Sequence, residues 1–209
     1  MTLDVTQFVS DGHREVKDVE RDGRPARAVI ATRVYDTDIE DLWNAVTTPE
    51  RIARWFAPVE GELRLGGRYQ IKGNASGTVT ACDAPRSFSL TWEFGGGVTW
   101  VDLSLAAEGK KTRLTLQHTA HLDEHWGKFG PGAVGVGWDL GLFGLYRHIR
   151  TGESISHEEA EMWSTTDEGK RFTRVASDDW ARAAIAAGEP EVQAREAAER
   201  TRKFYTGEA

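Results

Sequence analysis

The segment HTAHLDEH holds the densest set of side chains that can bind a metal, namely His118, His121, Asp123, Glu124 and His125. A zinc site needs about four nitrogen, oxygen or sulfur ligands that converge from rigid elements. His118 ends a predicted strand, whereas His121 and His125 are expected in a loop, and this spacing matches no standard zinc motif. We therefore expect no metal and no other cofactor. His118 is instead interpreted as an inward-facing polar group that is also able to hydrogen-bond a ligand.

A second chemical motif is the G-x-G-x-x-G of residues 130–135, which cradles phosphate when it lies between a strand and a helix. The preceding residues, HLDEHWGKF, form a polar loop, so a nucleotide is not expected. Gly137, Gly141 and Gly144 then follow at i, i+4 and i+7 in a helix predicted over 133–149. Each glycine costs about 1 kcal/mol relative to alanine in a helix. Either the sheet approaches this helix closely, or the glycines leave room for a ligand.

The sequence pattern does not bring together residues for acid–base or nucleophilic catalysis. Strand alternation directs Glu93 and Asp102 away from the apolar face, and Asp139 lies beside the face that carries Trp138. A catalytic carboxylate needs an apolar pocket that raises its pKa. Cys82 has no neighbouring histidine pattern, so it is interpreted as an incidental thiol. We predict no catalytic residues, which favours a binding protein over an enzyme.

The composition and charge of the chain argue against several classes of protein. The chain has 209 residues, a formal net charge of −7 and one cysteine. The acidic balance argues against a nucleic-acid partner, and a single cysteine excludes an intrachain disulfide. No signal peptide and no apolar run of about 20 residues is present, so a cytoplasmic protein without a membrane span is expected. Eight tryptophans either fill a large core or line a cavity.

These residues must be positioned by a sheet and a long helix. Asp22-Gly23 predicts a hairpin, and the period becomes helical from Asp36 to about residue 58. Alternating segments over 61–120, such as SFSLTWEF, predict an antiparallel meander with one apolar face. The long helix follows, and the charged, alanine-rich remainder predicts three more helices.

The expected organisation is a flexible N-terminus over 1–12, one domain over 13–150 and a helical extension over 151–209. The extension carries an amphipathic stripe, so it is expected to cover part of the domain or to mediate a homodimer.

Several segments in this order resemble signatures of the START-like (SRPBCC) superfamily: LWNAVTTPERIARWFAP, LRLGGRYQI, LTWEF, TRLTLQHT and GPGAVGVGWDLGLFGL. The chain is most similar to the branch named after the C-terminal domain of the activator of the ninety-kilodalton heat-shock chaperone's ATPase. The resemblance implies an α+β helix-grip (START/Bet v-like) fold, in which a curved antiparallel sheet surrounds a long C-terminal helix and encloses a hydrophobic cavity. The tail, AAERTRKFYTGE, is similar to an extension found in actinobacterial members.

Relatives in this superfamily hold lipids, hormones or polyketides, and a minority act as cyclases or dehydratases. The resemblance therefore implies a carrier or sensor of a small hydrophobic ligand, such as a lipid, a polyketide or an aromatic metabolite. A cyclase or dehydratase and a chaperone-associated interaction module are the alternatives. Aromatic, small and polar residues of the predicted inward faces are expected to line the cavity: Trp43, Trp55, Phe56, Tyr69, Trp92, His118, Trp138, Gly141 and Leu142. The alternative for the aromatic members is that they simply form the core.

Overall fold

The computed structural model describes the backbone of residues 5–208 and their side chains except those of 157 and 161. The helices are α1 Val5–Ser10, α2 Ile39–Thr47, α3 Pro49–Ile52, α4 Glu124–Phe129, α5 Gly132–Thr151, α6 His157–Ser164, α7 Asp167–Ala186 and α8 Glu191–Thr206. The strands are β1 His13–Arg21, β2 Arg24–Tyr35, β3 Val59–Gly61, β4 Arg68–Ile71, β5 Ser76–Asp83, β6 Ser87–Phe94, β7 Gly97–Glu108 and β8 Lys111–His121.

All eight strands belong to one sheet in the order β1-β2-β8-β7-β6-β5-β4-β3. From β3 to β8 each strand pairs antiparallel with the next one along the chain, as the predicted meander requires. The register places Leu90 opposite Val101 and Val101 opposite His118, so these three side chains share one face. The α+β class and the meander are confirmed.

Local sequence signals explain where several elements begin and turn. Asp22 and Gly23 both have positive φ, 51° and 70°, which suits the two-residue turn between β1 and β2. Asp38 caps α2 by accepting from the backbone N–H of Asp41 at 2.9 Å. Thr166 caps α7 in the same way. The long helix predicted over 133–149 is α5, which extends slightly beyond both predicted ends.

The chain divides into two compact units that interleave along the sequence. The first contains the described residues up to Ala31, His121–Leu140 and the residues from Glu158 onward. The second contains Thr32–Ala120 and Gly141–His157, so β2 and α5 contribute to both units. The boundary expected at residue 150 is a different division and stays a prediction.

Helix α1 lies in the segment that the sequence leaves as a flexible N-terminus. Residues 1–4 of that segment lie outside the described residues. Phe8 and Val9 of α1 are buried, and the Phe8 ring stacks on Phe172 of α7 with 6.4 Å between centroids. Burial of these apolar side chains is what stabilises so short a helix, since its own hydrogen bonds do not.

The first unit contains a buried ion-pair network around Arg14. Its Nε and one Nη donate to the carboxylate of Asp139, each at 3.0 Å, and the other Nη donates to Asp179 at 3.0 Å. Two backbone carbonyls accept its remaining N–H groups. Asp139 is 1 % exposed and also accepts from Trp180 Nε1 at 2.9 Å. Asp139, which the sequence places beside the face that carries Trp138, is therefore a structural carboxylate whose charge is compensated by Arg14.

Glycines in the first part of α5 lie against side chains of α7 and α8. A Cβ at Gly135 would overlap the indole of Trp180, and one at Gly137 would lie 2.8 Å from the Tyr205 hydroxyl. Tyr205 also donates to the carbonyl oxygen of Ala133 at 2.6 Å. Close packing therefore offsets the cost of glycine in this part of the helix. No helix in residues 5–208 is long and apolar enough to cross a membrane.

Candidate functional site

The candidate site lies in the second unit, on the apolar face of the sheet. Every second side chain of β6 lies on this face. Phe88 and Leu90 are buried there, and Trp92 is half-buried. Strand β7 places Thr99 directly opposite Trp92. The face is therefore apolar along most of its length and becomes polar beside Trp92.

His118 provides the polar group at this end of the face. It is 5 % exposed, and its ring lies edge-on to Trp92 with 6.1 Å between centroids. Its Nε2 lies 2.8 Å from the hydroxyl oxygen of Thr99, and that hydroxyl donates to the carbonyl oxygen of Trp92 at 3.2 Å. A threonine hydroxyl has one hydrogen, so either it donates to the Trp92 carbonyl and accepts from Nε2, or it donates to Nε2.

Burial lowers the pKa of His118 from 6.5 to about 4. Removing the imidazole from water disfavours its charged form, and this is the dominant cause of the shift. At neutral pH the side chain is therefore an uncharged hydrogen-bonding group within an apolar surface.

The segment after α3 faces the second part of α5. A Cβ at Gly141 would lie 3.3 Å from the ring of Phe56, and one at Gly144 would overlap the backbone carbonyl of Trp55. The Trp55 and Phe56 rings are 5.6 Å apart, and both are half-buried. The expected close approach to these glycines therefore exists, but the segment after α3 makes it rather than the sheet. Leu142, between them, is buried, and its carbonyl accepts from Tyr35 at 3.2 Å.

The remaining predicted residues lie on α2, β4 and α5. Trp43 on α2 is half-buried and meets Phe88 edge-on at 6.2 Å. Tyr69 on β4 is buried and donates to the carbonyl of Thr91 at 2.7 Å, and burial raises the pKa of its hydroxyl. Trp138 is half-buried and belongs to the first unit. Within the predicted set, Trp92 contacts His118, and Phe56 contacts both Trp55 and Gly141.

His148 is a buried polar group that sequence reasoning misses. Its place in the last turn of the long helix suggests a surface role beside the helix dipole, but it is 4 % exposed. Arg51 Nε donates to its Nε2 at 3.0 Å, and its Nδ1 donates to the carbonyl of Glu153 at 3.1 Å. Burial is the main cause that lowers its pKa. No sequence signal links Arg51 to a histidine on another helix.

His121 and His125, which are expected in a loop, lie on a strand and a helix, so that expectation is wrong. His121 is the last residue of β8, and its Nδ1 lies 3.1 Å from the carbonyl of Pro25. His125 is exposed on α4, whose N-terminus is capped by Asp123. Among the described residues, no group of three or more His, Cys, Asp or Glu side chains is placed to hold a metal ion.

Comparison with known families gives one match. The sequence model of the family described as "Activator of Hsp90 ATPase homolog 1-like protein" matches residues 36–145. No curated protein matches the chain by sequence.

Two solved structures of one protein are similar to this chain. CalU16 from Micromonospora echinospora is 29% identical over 85% of this chain and 99% of that one, with a TM-score of 0.67 for its crystal structure. Its solution NMR structure gives a TM-score of 0.70 at 28% identity, over 85% of this chain and 97% of that one. Coverage of this extent has to include residues after 145, so part of the predicted extension also has a structural counterpart.

A structure with lower sequence identity has a similar fold. The structure described as the Aha1 dimer from Colwellia psychrerythraea is 14% identical over 60% of this chain and 97% of that one, with a TM-score of 0.52. This likeness is one of fold alone. Together with the CalU16 structures it confirms the predicted α+β helix-grip fold.

Proposed function

Because this chain belongs to the family of Activator of Hsp90 ATPase homolog 1-like proteins, we propose that its second unit binds a small, largely apolar molecule as a carrier or sensor. The ligand site comprises the apolar face of the sheet around Trp92 and the surface formed by Trp55, Phe56 and the second part of α5. Small-molecule sites are mostly apolar and aromatic, with a few polar groups that orient the ligand.

The single observation that carries this proposal is the combination of Trp92, Thr99 and His118. A half-buried indole lies beside a buried, uncharged imidazole that is hydrogen-bonded to the threonine hydroxyl. Burying an imidazole costs free energy unless it is hydrogen-bonded, and Thr99 supplies a hydrogen bond to His118. The cluster therefore suits recognition of one polar atom on an otherwise apolar molecule.

Acid–base catalysis has less support from the same residues. Enzymes that move protons usually place an acid or base with a pKa near the working pH beside the substrate. Burial holds the pKa of His118 at about 4, far below neutrality. Asp139 is the one carboxylate buried among the described residues, and Arg14 neutralises it. A carrier or sensor is therefore favoured over a cyclase or dehydratase.

Titration with 8-anilinonaphthalene-1-sulfonate tests the proposal. We expect saturable binding with a rise in probe fluorescence, and a Kd for Trp92→Ala weakened about tenfold or more, since an aromatic contact of this size contributes over 1 kcal/mol. Trp100→Ala is the matched control. Trp100 lies on the neighbouring strand, between Thr91 and Thr119, and its side chain is on the opposite face of the sheet from Trp92.

Circular dichroism establishes that each variant retains the wild-type fold. Equal weakening by Trp92→Ala and Trp100→Ala, or no saturable binding by the wild type, would contradict the proposal.

A further inference from the structure

The segment 51–56 begins in α3 and lies across one stripe of α5. The stripe has three members at i, i+3 and i+7, which share one side of a helix, namely Gly141, Gly144 and His148. The Phe56 ring packs against the first member, and the Trp55 carbonyl packs against the second. Arg51 reaches the third, because its Nε donates to Nε2 of His148 at 3.0 Å. One hydrogen bond therefore supplements two packing contacts.

The Arg51 contact determines the protonation state of His148. A guanidinium group has donors only, so Nε2 of the imidazole must be an unprotonated acceptor. Its Nδ1 carries the hydrogen and donates it to the carbonyl of Glu153 at 3.1 Å. The imidazole is therefore neutral in this arrangement, with both nitrogens hydrogen-bonded and only 4 % of the residue exposed. A second proton would have to occupy Nε2, where it would face the Nε–H of Arg51.

The charges near His148 include more arginines than acids. They comprise Arg51 and Arg54 of the segment, Asp41 of α2, and Glu153 with Arg147, whose charged groups lie 3.7 Å apart. Burial is the largest cause that lowers the pKa of His148 below 6.5, and the two arginines of the segment add to it. The hydrogen bond to Glu153 and the charge of Asp41 act in the opposite direction. Asp41 also accepts from Arg51 at 3.0 Å, so its charge is shared between the two cations.

Arg54 joins the same segment to the loop that follows α5. Its Nε donates to the hydroxyl of Ser154 at 3.0 Å, and its carbonyl accepts from the backbone N–H of Ile155 at 3.0 Å. Loops move more readily than helices, so these two bonds can persist while the segment shifts. The bond from Arg51 ends on the helix itself and has to break if the segment leaves α5.

We propose that Arg51 and His148 form a pH-sensitive latch beside the ligand surface made by Trp55, Phe56 and α5. While His148 is neutral, the hydrogen bond holds the segment 51–56 against the helix. Protonation of Nε2 removes the acceptor and brings two positive charges together, so the segment moves away from α5. The inference rests on the ligand site proposed above, because it assigns release of that ligand to acidification.

Two-dimensional NMR of the full chain without ligand tests the latch itself. The Trp55 indole N–H donates to the carbonyl of Ala45 at 3.0 Å, so its signal reports on the segment. We expect this signal to shift between about pH 7.5 and pH 5, with the same midpoint as the His148 imidazole, since one protonation controls both.

His148→Gln is the matched variant, because its side-chain carbonyl can accept from Arg51 but does not titrate. Its Trp55 indole signal should not change over the same pH range. His125→Gln, at an exposed position on α4, should behave like the wild type. Circular dichroism establishes that both variants retain the fold.

Titration with 8-anilinonaphthalene-1-sulfonate connects the latch to ligand binding. The Kd of the wild type should weaken about threefold or more between about pH 7.5 and pH 5, because binding favours the neutral form of His148. The Kd of His148→Gln should stay constant. His118 does not account for such a change, since its pKa of about 4 leaves it largely neutral in this range.

A His148 titration that leaves the Trp55 indole signal unchanged would overturn the proposal. An equal pH dependence of the Kd in the wild type and His148→Gln would also overturn it. Absence of probe binding at every pH would contradict the ligand site instead, and the indole signal would then decide for or against the latch.

Discussion

Acidification is expected to destabilise this protein through His118. The imidazole is buried, and its pKa falls from 6.5 to about 4 on folding. The unfolded chain therefore binds a proton between these two values that the folded chain does not. Stability is then lost as pH falls below the unfolded pKa, because protonation favours the unfolded state.

The size of this effect follows from the shift. Within the window the free energy of unfolding falls by about 1.4 kcal/mol per pH unit, so the contribution of His118 reaches about 3 kcal/mol near pH 4. At about pH 5 the expected loss is about 2 kcal/mol. His148 adds to the same trend, since its pKa is also lowered in the folded protein.

Urea unfolding at a series of pH values measures this dependence, and a comparison with His118→Gln isolates the contribution of His118. The glutamine keeps an amide donor for Thr99 but does not titrate. The wild type should lose about 2 kcal/mol more than the variant between about pH 7 and pH 5. His125→Gln, at an exposed position on α4, should behave like the wild type. Parallel curves for wild type and His118→Gln, or an NMR titration of His118 with a midpoint near 6.5, would refute the reasoning.

Two further predictions concern packing and buried charge. Gly144→Ala should destabilise the fold by about 1–3 kcal/mol in urea unfolding, because the added Cβ would overlap the backbone carbonyl of Trp55. Gly127→Ala on α4 meets open space, so it should be neutral or stabilising. Asp139→Asn should cost about 3–5 kcal/mol, because it leaves Arg14 buried without its main partner.

Asp179→Asn serves as a control for Asp139→Asn. Asp179 also binds Arg14, but its side chain is 14% exposed and so more hydrated. A loss of stability equal to that of Asp139→Asn would show that burial of the ion pair does not set the cost. Gly144→Ala as stable as the wild type would show that the Trp55 segment can move away from α5.

Much of the fold can be predicted because its signals are local. The Asp22-Gly23 turn, the alternation in β6 and the helical spacing in α5 each depend on residues close together in the chain. Strand alternation also places His118 on the buried face, as the structure has it. Local sequence patterns do not predict the hydrogen bond between His118 and Thr99, because the two residues meet only through the pairing of β7 with β8.

Long-range partners explain most of what sequence reasoning leaves open. The glycines of α5 indicate close packing or a void, but which residues approach them depends on elements far along the chain. Trp180 lies over Gly135, and Trp55 lies over Gly144. Asp139 illustrates the same limit, because its partner Arg14 is 125 positions away. Charge and spacing within α5 contain no information about that contact.

Native mass spectrometry tests most directly whether the second unit holds a small, largely apolar molecule. Protein purified under non-denaturing conditions should give the mass of the chain plus a small molecule in one-to-one stoichiometry. That adduct should disappear on denaturation, and Trp92→Ala should carry less of it than Trp100→Ala. The bare mass of the chain alone, both as purified and after incubation with excess 8-anilinonaphthalene-1-sulfonate, would contradict the claim.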